Sequence, residues 1–317
     1  MITVLIATYN GAKTLPTVLD AYCKLDLPNG EWKLVIVDNG STDNTQAIVN
    51  AFLPLLPITL LVEPRRGKNV ALNTGLSQIA GDLIVLTDDD VLPHENWLKQ
   101  LKSTADSQPL YSIFGGPILP EWESPPDDWI LSWVHLAITF GILDDQEEGP
   151  VDIYKVYGGN MAIRSKVFQM GYKFDETIGP KGSKYAQGSE VEFLMRLHQA
   201  GFRAWHCKNA IVRHMIRSFQ MDKDWILGRA IRFARGQYRL GRVEYCKWKS
   251  SFLGIPWRLL LRILKRIFLF GKAKLSGDAE TIFKERWQLN YLFGIALEAR
   301  VMHRERKKAT ATRSCLS

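Results

Sequence analysis

Leu83-Ile84-Val85-Leu86-Thr87-Asp88-Asp89-Asp90 carries an apolar run straight into three adjacent aspartates, and this stretch decides the fold. Unbroken apolar residues of this length, without polar alternation, predict a short strand buried on both faces. The same pattern occurs upstream. Ile2–Ala7 runs into Thr8-Tyr9-Asn10, Lys33–Val37 runs into Asp38-Asn39-Gly40-Ser41, and Ile58–Val62 forms a third apolar segment. Helical patterns separate them: Leu15, Val18, Leu19 and Tyr22 share one face, Thr42–Leu53 follows, and a third spans about Asn69 to Ile79. Repeated strand–helix units predict an α/β fold with a Rossmann-like, mostly parallel central sheet flanked by helices. Such sheets bind ligands at the carboxyl ends of their strands, which here carry Thr8, Asp38 and Asp88.

After Pro93 the regularity fades. Gly115-Gly116-Pro117 and Pro120–Asp128 are rich in turn formers, with Trp122 and Trp129 flanking Pro125-Pro126. Two strands are expected, near Lys155–Arg164 and Ala210–His214, with a helix at Glu190–Gln199 ended by Ala200-Gly201. Trp122 and Trp129 are candidates for a ligand wall, since flat aromatic faces pack on ring-shaped ligands; the competing role is core packing.

Three neighbouring carboxylates repel one another, so Asp88-Asp89-Asp90 is costly without a cation. Mg2+ or Mn2+ takes oxygen ligands, shares them with substrate phosphates and neutralises charge on a diphosphate leaving group. The competing role is an acidic loop before a helix N-terminus. Asp38 could accept from a base or ribose, or its neighbours Ser41 and Thr42 could simply start a helix. Arg65-Arg66-Gly67-Lys68 places cations and a glycine before a helix, which suits phosphate recognition as well as a solvated basic turn.

Taken in order, Thr8-Tyr9-Asn10, Val37-Asp38-Asn39-Gly40-Ser41-Thr42-Asp43, the Gly67…Ala71…Asn73…Gly75 spacing and the aspartate triplet resemble the nucleotide-binding half of family 2 glycosyltransferases of the GT-A fold, of bacterial polysaccharide type. Gly159-Asn160-Met161-Ala162, Phe174-Asp175-Glu176, Gly188–Phe193 and Val212-Arg213-His214 resemble the acceptor half, so the likeness covers roughly residues 1–240. It implies a donor half at 1–110 and an acceptor and catalytic half at 111–240; beyond the likeness, residues 241–317 are expected to form a basic amphipathic helical extension. It also implies inverting transfer from a nucleoside diphosphate sugar, UDP by family majority, to an acceptor hydroxyl of a glycan or lipid-linked glycan. By the same resemblance Thr8, Tyr9, Asn10, Asp38, Asn39, Lys68, Asp88 and Asp89 form the donor pocket, and Asp88, Asp90 and His214 hold the metal. The register within the triplet stays open. Family members commonly carry Glu-Asp where this chain has Ser189-Glu190, so the catalytic base maps to Glu190. Glu192 is the rival; residues two apart on a helix point about 200° apart, so only one can face the site. The non-enzymatic alternative is a protein of this fold that binds nucleotide sugar or glycan without transferring it.

The charge is lopsided. The 317-residue chain is +8 overall, yet residues 228–317 hold 21 Lys and Arg against 6 Asp and Glu. Trp257–Phe270 reads as a helix with Arg258, Arg262, Lys265, Arg266 and Lys272 inside an arc of about 120° and apolar residues elsewhere. That pattern suits an anionic membrane surface, and no nucleic-acid-binding motif accompanies it. Cys23, Cys207, Cys246 and Cys315 lack the short spacings of a zinc site or disulfide framework. With no run of 18 apolar residues and no basic leader, the expectation is a cytoplasmic protein, peripheral on the inner face of the membrane.

Overall fold

The computed structural model describes residues 1–26, 31–179, 185–247 and 251–314, which leaves Cys315 outside the described residues. The chain divides into two compact units. Met1–Glu123, Phe140–Lys181 and Ser189–Ile216 form the first, and Ser124–Thr139, Gly182–Gly188 and Arg217–Ser317 form the second.

In the first unit the anticipated units appear as β1 (Ile2–Thr8), α1 (Leu15–Tyr22), β2 (Trp32–Asp38), α2 (Thr45–Phe52), β3 (Ile58–Val62), α3 (Lys68–Gly75) and β4 (Leu83–Thr87). Then come β5 (Val91–Pro93), α4 (Trp97–Ser107), β6 (Ile113–Gly115), β7 (Ile118–Trp122), and in the other unit α5 (Asp128–Trp133). That other unit also holds all of α6 (Leu136–Phe140) but its last residue; the first unit continues through β8 (Gly149–Val151), β9 (Met161–Arg164), α7 (Ser165–Gln169), α8 (Ser189–Gln199), β10 (Ala204–His206) and β11 (Val212–Ile216). Eight strands build one sheet in the order β3-β2-β1-β4-β9-β6-β10-β8. The first four run parallel, whereas β9 is antiparallel to both β4 and β6. This is the mixed α/β architecture of the GT-A fold, with its parallel half built from the repeated strand–helix units.

The packing follows from the apolar strands. Leu5, Val35, Val37, Ile84 and Leu86 are buried beneath Ala71 and Leu72 of α3, while Val4, Ile6, Leu34 and Ile36 are buried among Leu15, Val18 and Leu19 of α1. A Cβ on Gly75 would lie 2.2 Å from Leu5 Cδ1, so glycine lets α3 sit tightly on β1.

Two segments differ from expectation. Only Met161–Arg164 of the predicted 155–164 strand is extended; Ile153–Lys155 and Gly158–Asn160 are single helical turns, the first capped by Asp152 accepting from Tyr154 N at 3.0 Å. The strand expected at 210–214 is β11, displaced two residues onward and held in a second, three-stranded sheet between β5 and β7. That small sheet follows the aspartate triplet and brings β11 beside it in sequence register: His214 pairs with Val91.

The second unit is helical, with α5, α9 (Lys223–Arg239), α10 (Trp257–Ser276) and α11 (Ala279–Ser314). Asp222 caps α9 by accepting from Asp224 N at 2.8 Å and Trp225 N at 3.1 Å. Gly277, at φ 73°, ends α10 in the left-handed conformation usual at a helix C-terminus. Ala234, Leu259, Ile263, Leu292, Ile295 and Ala296 form its core. Glu298 is fully buried there and accepts from Arg235 Nε at 2.8 Å and from Arg239. Among the described residues no helix is long and apolar enough to cross a membrane. Cys23, Cys207 and Cys246 are free thiols.

Candidate functional site

Three segments of the first unit converge at one cation. Lys68, at the start of α3, lies 2.6 Å from Asp88 Oδ1 at the end of β4 and 3.1 Å from Glu190 Oε1 in the first turn of α8. Burial alone pulls the ammonium down, but Asp88 and Glu190 outweigh it and hold Lys68 above its usual range. Conversely, burial pushes the Glu190 carboxyl up, and the Lys68 charge more than offsets this, so the carboxyl sits below its usual range. Glu190 Oε2 also accepts from Ser189 Oγ at 3.1 Å. A Cβ on Gly158 would lie 2.7 Å from Glu190 Cγ, so the Gly158-Gly159 turn leaves this carboxylate its space.

Glu192 goes elsewhere. It accepts from Arg196 Nε at 2.6 Å and Nη2 at 2.9 Å, the ion pair its spacing allowed.

At the end of β1, Thr8 donates its hydroxyl to Asp89. Burial, with the flanking Asp90 and Asp88 charges, pushes the Asp89 carboxyl up to about 7. Such a shift marks negative charge short of a counter-ion. On the other flank, His214 Nε2 of β11 lies 3.5 Å from Asp90 Oδ2, and Nδ1 is 2.6 Å from the Phe140 carbonyl oxygen. A carbonyl only accepts, so Nδ1 carries the hydrogen and Nε2 is the ring atom that faces Asp90. Burial lowers the imidazole's proton affinity, yet Asp90 and the Phe140 carbonyl raise it further. Carboxylate oxygens plus one imidazole, with charge left over, fit a hard divalent cation. Among the described residues no three His, Cys, Asp or Glu side chains are grouped tightly enough to coordinate an ion by themselves. Ions of this class complete their shell with substrate phosphates and water.

The β2 end is organised differently. Asp38 is buried and accepts from Ser41 N at 2.9 Å and Gln46 Nε2 at 2.5 Å. Asn39 donates to the Glu63 and Arg65 carbonyls at 2.9 and 2.7 Å and accepts from Gly67 N at 2.8 Å. Its amide is used up in clamping the loop that delivers Lys68. Asn10, at φ 54°, accepts from Thr42 N at 2.8 Å. Tyr9 is 48% exposed, with the Arg66 guanidinium 4.0 Å from its ring centre.

Glu63 belongs to the same loop. Its carboxylate accepts from Arg65 N at 2.8 Å, Arg65 Nη2 at 2.9 Å and Thr74 Oγ1 at 2.6 Å. Those bonds, from Arg65 first and Thr74 second, hold its carboxyl at about 2 against an ordinary 4.5. A depressed value stabilises the fold fully above pH 4.5, and the contribution is lost as pH falls toward 2. Glu63→Gln is therefore expected to flatten the acid side of the stability profile in that window, read as urea midpoints against pH. An unchanged acid slope would show that these bonds do not persist in solution.

Asn73 entered the sequence reading only through the family spacing, and neither α3 amide was given a role there. Asn69 donates to the Asp175 and Ile178 carbonyls at 2.7 and 3.0 Å, and Asn73 donates to the Phe174 carbonyl at 2.9 Å. They tie residues 174–178 to the helix that bears Lys68; their four-residue spacing, which puts both on one helix face, was the available signal. Trp122 packs edge-on against Phe140, with ring centres 5.4 Å apart. Trp129 lies in the other unit, among Trp133, Phe283 and the Lys223 ammonium.

Residues 3–170 match the sequence model of glycosyl transferase family 2, a stretch that includes Thr8, Asp38, Lys68 and the aspartate triplet. The chain belongs to that family. It is a glycosyltransferase by that membership. It is 25% identical over 203 residues to a glucosyl-dolichyl phosphate glucuronosyltransferase of Haloferax volcanii, covering 62% of this chain and 64% of that relative's length. Two solved structures share the fold. The Pyrobaculum calidifontis mannosyltransferase PcManGT with GDP-Man and Mn2+ aligns at TM-score 0.57 and 20% identity, over 94% of this chain and 86% of that one. S. aureus TarS 1–349 with UDP-GlcNAc aligns at TM-score 0.55 and 15% identity, over 96% and 91%.

Proposed function

We propose that this family 2 glycosyltransferase moves a hexosyl group, with inversion, from a nucleoside diphosphate sugar to an acceptor hydroxyl. UDP is the favoured nucleotide and a glycan or lipid-linked glycan the acceptor, in polysaccharide assembly. The observation that carries this reading is the Asp88–Lys68–Glu190 chain, which ties a strand-end donor motif to a separate carboxylate on a helix.

In the proposed chemistry the donor lies across the ends of β1, β2 and β4. The base packs on the exposed Tyr9 ring, and Thr8, Asn10, Asp38 and Asp89 border the nucleoside and sugar. Asn39 acts by holding the loop that bears Lys68. Asp88, Asp90 and His214 would hold Mg2+ or Mn2+, which when bound supplies Lewis-acid neutralisation of the diphosphate. Lys68 is a cation already poised between two carboxylates, and an arriving diphosphate offers it a more highly charged partner. Its shift toward phosphate leaves Glu190 free to accept a hydrogen bond from the acceptor hydroxyl. The acceptor oxygen then bonds to the anomeric carbon as the bond from that carbon to the phosphate oxygen breaks. Glu190 takes the hydroxyl proton, the nucleoside diphosphate departs, and attack opposite the leaving group inverts the anomeric centre. The Haloferax relative's name describes a lipid-phosphate-linked sugar acceptor. By analogy we place this acceptor on a lipid, and the basic tail against the inner, anionic face of a membrane.

The test is product stereochemistry. The enzyme is incubated with UDP- and GDP-linked sugars and a lipid-linked oligosaccharide acceptor, and the product is examined by NMR. An α-linked donor giving a β-linked product supports the proposal. Retention would overturn the single-base mechanism, and binding without transfer would favour a non-catalytic role.

A further inference from the structure

The 20-residue helix α10 presents two opposed apolar faces. Leu259 and Ile263 are buried in the second unit's core beside Leu289 and Leu292. On the other side, Trp257, Leu261, Leu264, Phe268 and Leu275 are exposed, Leu264 at 62%, Phe268 at 72% and Leu275 at 90%. At 100° per residue these five fall within about 60° of one another, roughly opposite Leu259 and Ile263, in a stripe about 27 Å long. Lys272, Lys265 and Arg258, all exposed, follow within about a further 60° along one border of that stripe. Within the unit, Arg262 pairs with Glu244 at 2.7 Å and Arg266 with Glu285 at 2.8 Å.

A helix anchored by one face that exposes leucines and aromatics on the other keeps apolar surface in water, which marks a contact site. Charge selects the occupant. With 21 Lys and Arg against 6 Asp and Glu over residues 228–317, two copies pressed together here repel, whereas an anionic leaflet attracts. We propose that the Trp257–Leu275 stripe lies in the headgroup boundary of an anionic bilayer, its five apolar side chains inserted, with Arg258, Lys265 and Lys272 against the headgroups. This rests on the membrane partner named above and deepens it, because it assigns the inserting face. It does not depend on the donor chemistry.

Substitution is the suitable test, since truncation before α10 would also remove α11 and with it the buried Glu298 that Arg235 and Arg239 engage. The full chain is floated with vesicles of phosphatidylcholine alone and of phosphatidylcholine mixed with phosphatidylglycerol. Wild type binds the mixed vesicles only, and more weakly as salt rises. Leu264→Gln/Phe268→Gln and Lys265→Glu/Lys272→Glu each weaken that binding at least about tenfold. All four side chains are exposed, so the thermal unfolding transition stays in place; should one pair unfold the protein, the other still decides. Absence of anionic-vesicle binding by wild type overturns the proposal, as does wild-type-like binding by both variants. A wild-type dimer that Leu264→Gln/Phe268→Gln converts to monomer would assign the stripe to a second copy and overturn it too. Nucleotide titration of the same preparations separates this outcome from failure of the donor site.

Discussion

Glu190→Gln lowers the rate of sugar transfer by at least about 1,000-fold and leaves donor affinity within about threefold. The amide keeps the shape of the side chain and an oxygen for Lys68, but it cannot take a proton from the acceptor hydroxyl. Lys68 retains Asp88 at 2.6 Å, so the cation proposed to meet the diphosphate stays in place. The paired control is Glu192→Gln. That carboxylate is engaged by Arg196 on its own helix, and its loss costs about 0.5 kcal/mol of local stability with transfer near wild type. Single-turnover transfer and equilibrium donor binding, measured on both variants, check the assignment. If Glu192→Gln loses transfer and Glu190→Gln keeps it, the base is misassigned.

Asp90→Ala abolishes stabilisation by nucleotide plus Mn2+. A ligand at 100 times its dissociation constant stabilises the folded state by about 2.7 kcal/mol, or about 4 °C for a chain of this size. Wild type therefore shows a shift of about 4 °C with UDP and Mn2+ together, and neither the variant nor metal-free wild type does. Removing Asp90 also frees His214 Nε2 from the carboxylate 3.5 Å away, so two of the three proposed ligands lose their arrangement at once. Thermal unfolding followed by fluorescence provides the readout. An equal shift in Asp90→Ala would remove Asp90 from the metal site.

The parallel half of the sheet was legible because its strands are continuous apolar runs ended by polar clusters, so Thr8, Asp38 and Asp88 mark their own strand ends. The extent of β9 was not, since the turn at Gly158–Asn160 depends on contacts with Thr87 and Glu190 that lie far away in sequence. The choice between Glu190 and Glu192 is likewise non-local. Helical geometry allowed one of them to face the site, and Lys68, 122 residues from Glu190, distinguishes them. Asn39 illustrates a different limit: its type suits a ligand contact, but its amide is consumed by the Glu63 and Arg65 carbonyls. The helical C-terminal extension was expected, but the bounds of α11 within it were not legible because its apolar residues do not keep to one face. It packs against both α9 and α10, which spreads them around its circumference.

The central claim is that the ends of β1, β2 and β4 form a metal-assisted site for a nucleoside diphosphate. Calorimetric titration of the folded wild-type chain with UDP, GDP and dTDP, with and without Mn2+, tests it most directly. UDP alone of the three is expected to bind, with an affinity that depends on Mn2+. No binding of any of the three, or binding indifferent to the metal, would contradict it.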